Sequence, residues 1–206
     1  MAKPIIDTVI FDLGGVLIDW NPAYVFRQIF DDEKEMHYFL TEICKPSWNV
    51  QQDAGRPLAV ATAEKVAEFP AYKEQIEAFY GRWEEMLGGP IAGSVQLFRD
   101  LHAAKTHRLL SLTNWSDETF PVALERYDFL QLFEGILVSG KEKMIKPDLR
   151  IYQLLMDRYQ IKDPSRALFI DDSMKNVFGA RAAGLHSEKV NSPERLKEVL
   201  SDYLII

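Results

Sequence analysis

Four short apolar runs constrain this chain more than anything else in it: Thr8–Phe11, Arg108–Leu112, Gly135–Val138 and Ala167–Ile170. Runs this short, apolar at successive positions, suit strands buried on both faces, the condition of a parallel sheet. Between the later runs lie Gly93–Ala104, Ser116–Arg126 and Pro147–Tyr159, each long enough for a crossover helix. Ser173–Ala183 and Ser192–Leu200 continue the alternation, and Ser192-Pro193 supplies an N-cap followed by a first-turn proline. The alternation predicts an α/β fold with a doubly wound parallel sheet, a Rossmann-like core.

The segment from 21 to 87 breaks the rhythm. It holds no convincing strand and reads as helices over Pro22–Phe30, Glu33–Ile43, Thr62–Phe69 and Tyr72–Met86. In the last of these Ile76, Phe79, Tyr80, Trp83 and Leu87 fall on one helical stripe, and Gly88-Gly89-Pro90 punctuates its end. The chain therefore divides into a core, 1–20 with 88–206, and an inserted helical bundle, 21–87.

With 206 residues there is material for one full core and an insert. A net charge of −7 argues against a nucleic-acid surface, which needs clustered Lys and Arg, but leaves room for local binding of an anion. The single cysteine, Cys44, rules out an intrachain disulfide and fits a reducing compartment. No run approaches the length of a membrane span, and the apolar stretch near Met1 is too short for a signal peptide. The expectation is a soluble, cytoplasmic protein, a monomer or homodimer, acting on a small molecule. His37, His102, His107 and His186 have no ligand spacing.

Ligands in open α/β sheets bind beyond the carboxyl ends of the strands. That rule gathers Asp12, which ends the first run, with Thr113-Asn114 after the second. It adds the lysines of "GKEKMIKPD" after the third and Asp171-Asp172 after the fourth. Converging carboxylates repel unless a cation neutralises them, and hard oxygen ligands select Mg²⁺, which completes its octahedron with water and substrate phosphate. A lysine can hold a phosphate oxygen, and Thr113 and Asn114 can donate to the same anion. Gly14 and Gly15 leave backbone N–H groups open to a phosphoryl group. An aspartate so placed can attack phosphorus and form an aspartyl phosphate.

The ordered set "FDLGGV", "LTN", "KPD" and "FIDDSMKN" resembles the four motifs of the haloacid dehalogenase-like hydrolase superfamily. It is most similar to a sugar-phosphatase-like branch whose helical cap follows the first motif. The resemblance implies a Mg²⁺-dependent phosphatase of small metabolites such as hexose 1-phosphates. It makes Asp12 the nucleophile and a metal ligand, Thr113 and Asn114 the second-motif polar pair, and Lys146 the lysine, ahead of Lys141 and Lys143. Asp171, Asp172 and the Gly14 carbonyl would be the remaining metal ligands, with Asn176 in support. Two other readings remain: a metal-free 2-haloacid dehalogenase using the same Asp12, and a catalytically weak ligand-binding or regulatory protein. Asp171-Asp172 favours metal and phosphate.

Position 14 departs from the family. Most phosphatases of the superfamily carry a second aspartate there to protonate the leaving group, and glycine cannot. The gap points to a leaving oxygen that needs little protonation, such as that of an anomeric phosphate. Otherwise the proton comes from Asp19, another side chain or a held water. Asp19 also reads as part of a helix entry, "DWNP", with Asn21 as N-cap and Pro22 at N1. In the insert, Cys44–Pro57 reads as a polar loop facing the substrate, with Trp48, Asn49, Gln52, Asp53 and Arg56 as contacts.

Overall fold

The structure, a computed structural model, describes residues 4–206; residues 1–3 of the expected core segment lie outside them. Five strands form one parallel sheet in the order β5 (Gly135–Val138), β4 (Arg108–Thr113), β1 (Thr8–Phe11), β6 (Ala167–Asp171), β7 (His186–Lys189). β1 is central, with Thr8 level with Arg108 on one side and Ala167 on the other. Successive residues of β1 feed opposite faces. Ile10 joins Leu110, Leu112 and Phe169 in one buried cluster, while Val9 and Phe11 join Leu109, Leu168 and Ile170 in the other. Both faces are covered, which explains why these strands read as unbroken apolar runs rather than as alternating ones.

Three strands escaped the sequence reading. β7, "HSEK", is an edge strand in which only Ser187 is buried, so it carries no apolar run and is held by its backbone ladder to β6. β2 (Ile18–Trp20) and β3 (Leu87–Pro90) form an antiparallel ribbon through which the chain leaves the core and returns. Gly88-Gly89-Pro90 is thus strand rather than a helix stop. A Cβ on Gly88 would collide with the Asp19 carboxylate.

Between the ribbon strands run α1 (Ala23–Ile29), α2 (Glu33–Tyr38) with a π-turn over Phe39–Ile43, α3 (Pro46–Asp53), α4 (Leu58–Glu68) and α5 (Lys73–Gly81). Asn21 caps the first as expected, its Oδ1 accepting the Ala23 N–H at 2.9 Å. The insert is packed by aromatics: Phe26 lies 4.7 Å from Phe39 and 5.9 Å from Phe79, and Trp48 meets Phe79 edge-on at 5.2 Å. The long helix expected over Tyr72–Met86 ends at Gly81. A 3₁₀ turn, Trp83–Met86, follows and sets Trp83 5.6 Å from Trp115 of the core. Packing across that junction outweighs continuation of the helix.

The rest of the chain carries α6 (Ala92–Ala104), α7 (Phe120–Arg126), α8 (Ser139–Glu142), α9 (Leu149–Arg158), α10 (Met174–Ala182) and α11 (Pro193–Asp202). The last begins as expected, Ser192 Oγ accepting the Arg195 N–H at 3.2 Å. α7 starts at Phe120, so Ser116–Thr119 remain a loop above β4. Insert and core share one buried cluster, from Phe11 and Phe98 to Phe39 and Trp83. No described helix is long and apolar enough to cross a membrane.

Candidate active site

The turn after β1 is tight. The Leu13 carbonyl accepts the N–H groups of Val16, Leu17 and Ile18 at 3.3, 2.8 and 2.9 Å. Gly15 has φ +71° there, and a Cβ on it would stand 2.6 Å from Asp172 Oδ2. Only glycine serves at that position, because both the left-handed backbone and the approach of a carboxylate exclude a side chain. Gly14 differs: a Cβ there would meet nothing within 4 Å.

β6 delivers Asp171 as its last residue, beside Asp12 at the end of β1. Asp12, Asp171 and Asp172 can each present an oxygen such that all lie within 4.8 Å of one another. Lys146 is completely buried between two of them, with Nζ 2.9 Å from Asp12 Oδ1 and 2.8 Å from Asp171 Oδ2. Its third donor goes to the Leu112 carbonyl at 2.9 Å. Lys141 is exposed on α8, and Lys143 caps that helix with φ +54°. The lysine of the site is Lys146.

Fully ionised, three carboxylates and one ammonium would leave two negative charges in excess at a largely buried point. Burial pushes the Asp12 carboxyl up to about 8, against the pull of Lys146 and with added repulsion from Asp171 and Asp172. Asp172 is also raised, by burial and by Asp171. Burial opposes ionisation of Asp171 too. Lys146, the Ser173 N–H at 2.8 Å and Asn176 Nδ2 at 3.0 and 3.1 Å outweigh it, so its carboxyl is lowered. Burial alone would lower Lys146, but the two carboxylates raise it, so it remains an ammonium. An all-oxygen donor set with surplus negative charge fits Mg²⁺. The Oδ1 of Asn176 and the hydroxyl of Thr113 are buried without a protein partner, polar capacity that an added group can use.

Asn176 acts on Asp171 from behind, whereas Asp172 is itself a candidate ligand. Loss of an outer partner of a metal ligand costs about 10–100-fold in affinity. Asn176→Ala should therefore fall in that range for Mg²⁺, and Asp172→Ala should exceed it. Titration calorimetry ranking them the other way would relocate the cation.

Several expectations need correction. Asn114, expected to donate to the anion, is engaged with Lys146: its Oδ1 accepts the Lys146 N–H at 2.8 Å, and its Nδ2 donates to the Lys146 carbonyl at 3.1 Å. It still lines the cleft. Cys44–Pro57 is not a loop, because Pro46 starts α3. Helix geometry turns Trp48 and Gln52 inward, and both are buried inside the insert rather than presented to a substrate. Arg56 lies away from the cleft, paired with Glu64 and with Gln51 Oε1 at 2.9 Å. Asp19 accepts the Tyr24 hydroxyl at 2.5 Å in the ribbon and does not line the cleft.

Of that set, Asn49 and Asp53 do reach the site. A cleft of about 780 Å³ is lined by Asp12, Gly14, Asp172, Asn49 and Asp53 among others. A recess of about 120 Å³ shares Gly14, Trp20, Asn49, Asp53 and Asn114 with it and continues between Tyr80, Trp83 and Trp115. Ser116 and Thr119 complete its wall. The sequence reading passed over these wall residues, although "WSDET" directly follows the end of β4, where a ligand-lining loop is expected.

The model of the haloacid dehalogenase-like hydrolase family matches residues 6–184. A sesquiterpene phosphatase of Aspergillus oryzae is 28% identical over 177 residues, spanning 85% of each chain. A phosphorylated carbohydrates phosphatase of Thermotoga maritima is 23% identical over 181 residues, 87% of this chain and 82% of that one. A HAD family enzyme of Bacteroides thetaiotaomicron, solved as a magnesium complex, superposes with a TM-score of 0.72 at 22% identity, covering 95% of this chain and 98% of the other. A strand-end aspartate, a buried lysine and an acidic pair on one parallel sheet thus coincide with a family match over most of the length, and the chain belongs to the haloacid dehalogenase-like hydrolases.

Proposed function

We propose that this hydrolase is a Mg²⁺-dependent phosphatase of small phosphorylated metabolites, in the sugar-phosphatase-like branch, working through an aspartyl phosphate on Asp12. The observation that carries the reading is the Asp12–Lys146–Asp171 chain of contacts with Asp172 beside it. A dehalogenase has no use for such a carboxylate excess. Asp12, Asp171, Asp172 and the Gly14 carbonyl would hold Mg²⁺, which supplies charge neutralisation for the phosphoryl oxygens. Asp12 attacks phosphorus, and its Oδ–P bond forms as the ester P–O bond breaks. Water then attacks the aspartyl phosphate, releasing inorganic phosphate and restoring the carboxylate. Lys146 damps the charge on Asp12, and Asn114 fixes the lysine in place.

Sugar phosphates such as hexose 1-phosphates suit the recess. Its aromatic walls offer apolar faces to a pyranose, and Asn49, Asp53, Ser116 and Thr119 offer hydrogen bonds to hydroxyls. The insert serves as a cap that excludes water and supplies most leaving-group contacts. The test is a panel of sugar phosphates, isoprenoid phosphates and 2-haloacids, assayed with Mg²⁺ and with chelator. Phosphate release that needs Mg²⁺, strongest among hexose 1-phosphates, is the expected result. Halide release indifferent to chelator would replace the reading with dehalogenation. Binding of panel compounds without turnover of any would favour a ligand-binding role.

A further inference from the structure

The second aspartate that most phosphatases of the superfamily carry has no counterpart at Gly14, yet the space it would occupy is open. A Cβ on Gly14 would meet nothing within 4 Å, and both the cleft and the recess pass this point. Facing the same space from the insert is Asp53, the last residue of α3, which lines both cavities. Asp19, the next acid along the chain, is spent on Tyr24.

Asp53 is held from two sides. Its backbone carbonyl accepts the Ser139 hydroxyl at 2.5 Å, and that hydroxyl accepts the Trp115 N–H at 2.9 Å, so the end of α3 is pinned to the core. Two residues on, a Cβ at Gly55 would stand 2.7 Å from the Gly140 carbonyl, a second close approach of insert to core. The carboxylate itself accepts Asn49 Nδ2 at 3.3 Å, and the nearby Ser116 N–H favours its charged form. Asn49 is oriented in turn, since its Oδ1 accepts the Tyr80 hydroxyl at 2.9 Å and the Tyr80 oxygen accepts Gln52 Nε2 at 3.0 Å. This explains why Gln52 is fully buried without touching the cleft: it begins a chain of donors that ends on Asp53.

Resting on the phosphatase reading, we propose that Asp53 is the proton donor of the reaction, supplied by the insert in place of the missing side chain at position 14. As Asp12 Oδ bonds to phosphorus and the ester P–O bond breaks, the Asp53 carboxylic acid gives its proton to the leaving oxygen. An alcohol departs and Asp53 remains as carboxylate. That carboxylate then takes a proton from the water attacking the aspartyl phosphate, which frees inorganic phosphate and returns both aspartates to their starting states. Burial drives the Asp53 carboxyl up to about 7, against the Ser116 N–H and the charge of Lys146. Both protonation states are therefore populated near neutrality, the condition for one group to act as acid and then as base. Glycine at position 14 leaves the path between Asp53 and the phosphoryl group clear.

The test compares the wild type with Asp53→Asn on substituted phenyl phosphates, which have no sugar hydroxyls for Asp53 to bind. kcat/KM is plotted against leaving-group pKa where phosphoryl transfer limits the rate. General acid help amounts to about 10²–10⁴ in rate. The wild type should give a shallow line. Asp53→Asn should lose that factor on phenyl phosphate and less than about tenfold on p-nitrophenyl phosphate, whose leaving group needs no proton. Gly14→Asp in the Asp53→Asn background should make the line shallow again. Parallel lines for wild type and Asp53→Asn would reduce Asp53 to a positioning residue and overturn the proposal, as would an unchanged rate. An inactive wild type in the presence of Mg²⁺ would instead bring down the phosphatase reading, and this proposal with it.

Discussion

Asp12→Asn should abolish turnover while leaving the fold intact. Removing a covalent nucleophile costs on the order of 10⁴–10⁶ in kcat, because water has no other route to an activated phosphoryl group in this site. The substitution keeps the size of the side chain and removes one of three crowded negative charges. Lys146 retains Asp171 at 2.8 Å and the Leu112 carbonyl at 2.9 Å, so it is not left unpaired. The melting temperature should therefore change little, and phosphorylated metabolites should still bind. Rapid quench and mass spectrometry of the wild type should show a phosphoryl adduct on the peptide carrying Asp12, absent from the variant. Substantial residual turnover by Asp12→Asn, with no adduct in the wild type, would mean that water attacks the substrate directly.

Lys146→Met should be the most destabilising single change in the site. It leaves Asp12 and Asp171, both buried, without the ammonium that joins them. Breaking a buried ion pair by removing one partner costs about 3–5 kcal/mol. In a domain of this size that corresponds to a fall of roughly 6–20 °C in melting temperature. Mg²⁺ should restore part of the loss by occupying the same carboxylates, since a ligand that binds only the folded state stabilises it.

The pH dependence of Lys146→Met has a definite sign. In the wild type Lys146 pulls the Asp12 carboxyl down and is the largest influence lowering Asp171. Without it Asp12, already raised by burial, is driven further up and Asp171 loses its largest lowering influence, so the folded variant binds more protons there than the folded wild type. Stability relative to the wild type should then decline as pH rises through the range in which the lowered Asp171 carboxyl of the wild type ionises, from below about 4 upward, and recover in stronger acid. Thermal melts with chelator at a series of pH values measure this. A variant as stable as the wild type at pH 7 without Mg²⁺ would contradict the buried triad.

Much of the site was legible in the sequence because it depends on residues fixed at strand ends. A doubly buried strand is largely apolar, so a carboxylate that ends it, as at Asp171, or directly follows it, as at Asp12, marks the rim of a parallel sheet. Gly15 after Asp12 marks a turn whose left-handed backbone favours glycine. The ribbon and β7 were not legible in the same way. They are held by backbone hydrogen bonds and edge pairing, which leave no apolar signature in "IDW", "LGGP" or "HSEK".

The sequence by itself determined the α/β core, the four candidate positions at its strand ends, the helical nature of the insert and the absence of an acid at position 14. Those features follow from local hydrophobic patterning and from the order of the motifs along the chain. Only the tertiary structure decided which residues of the insert face the site. Trp48, Asn49, Gln52, Asp53 and Arg56 lie within nine positions of one another, yet helix rotation buries Trp48 and Gln52 and leaves Arg56 outside the cleft. Asn49 and Asp53, one helical turn apart, point to the cleft because Ser139, Gly140 and Ser116 of the core grip the end of α3. Those contacts join residues 53 and 139, which no local pattern relates, so the placing of a carboxyl in the cleft beside Gly14 is a property of the docked insert.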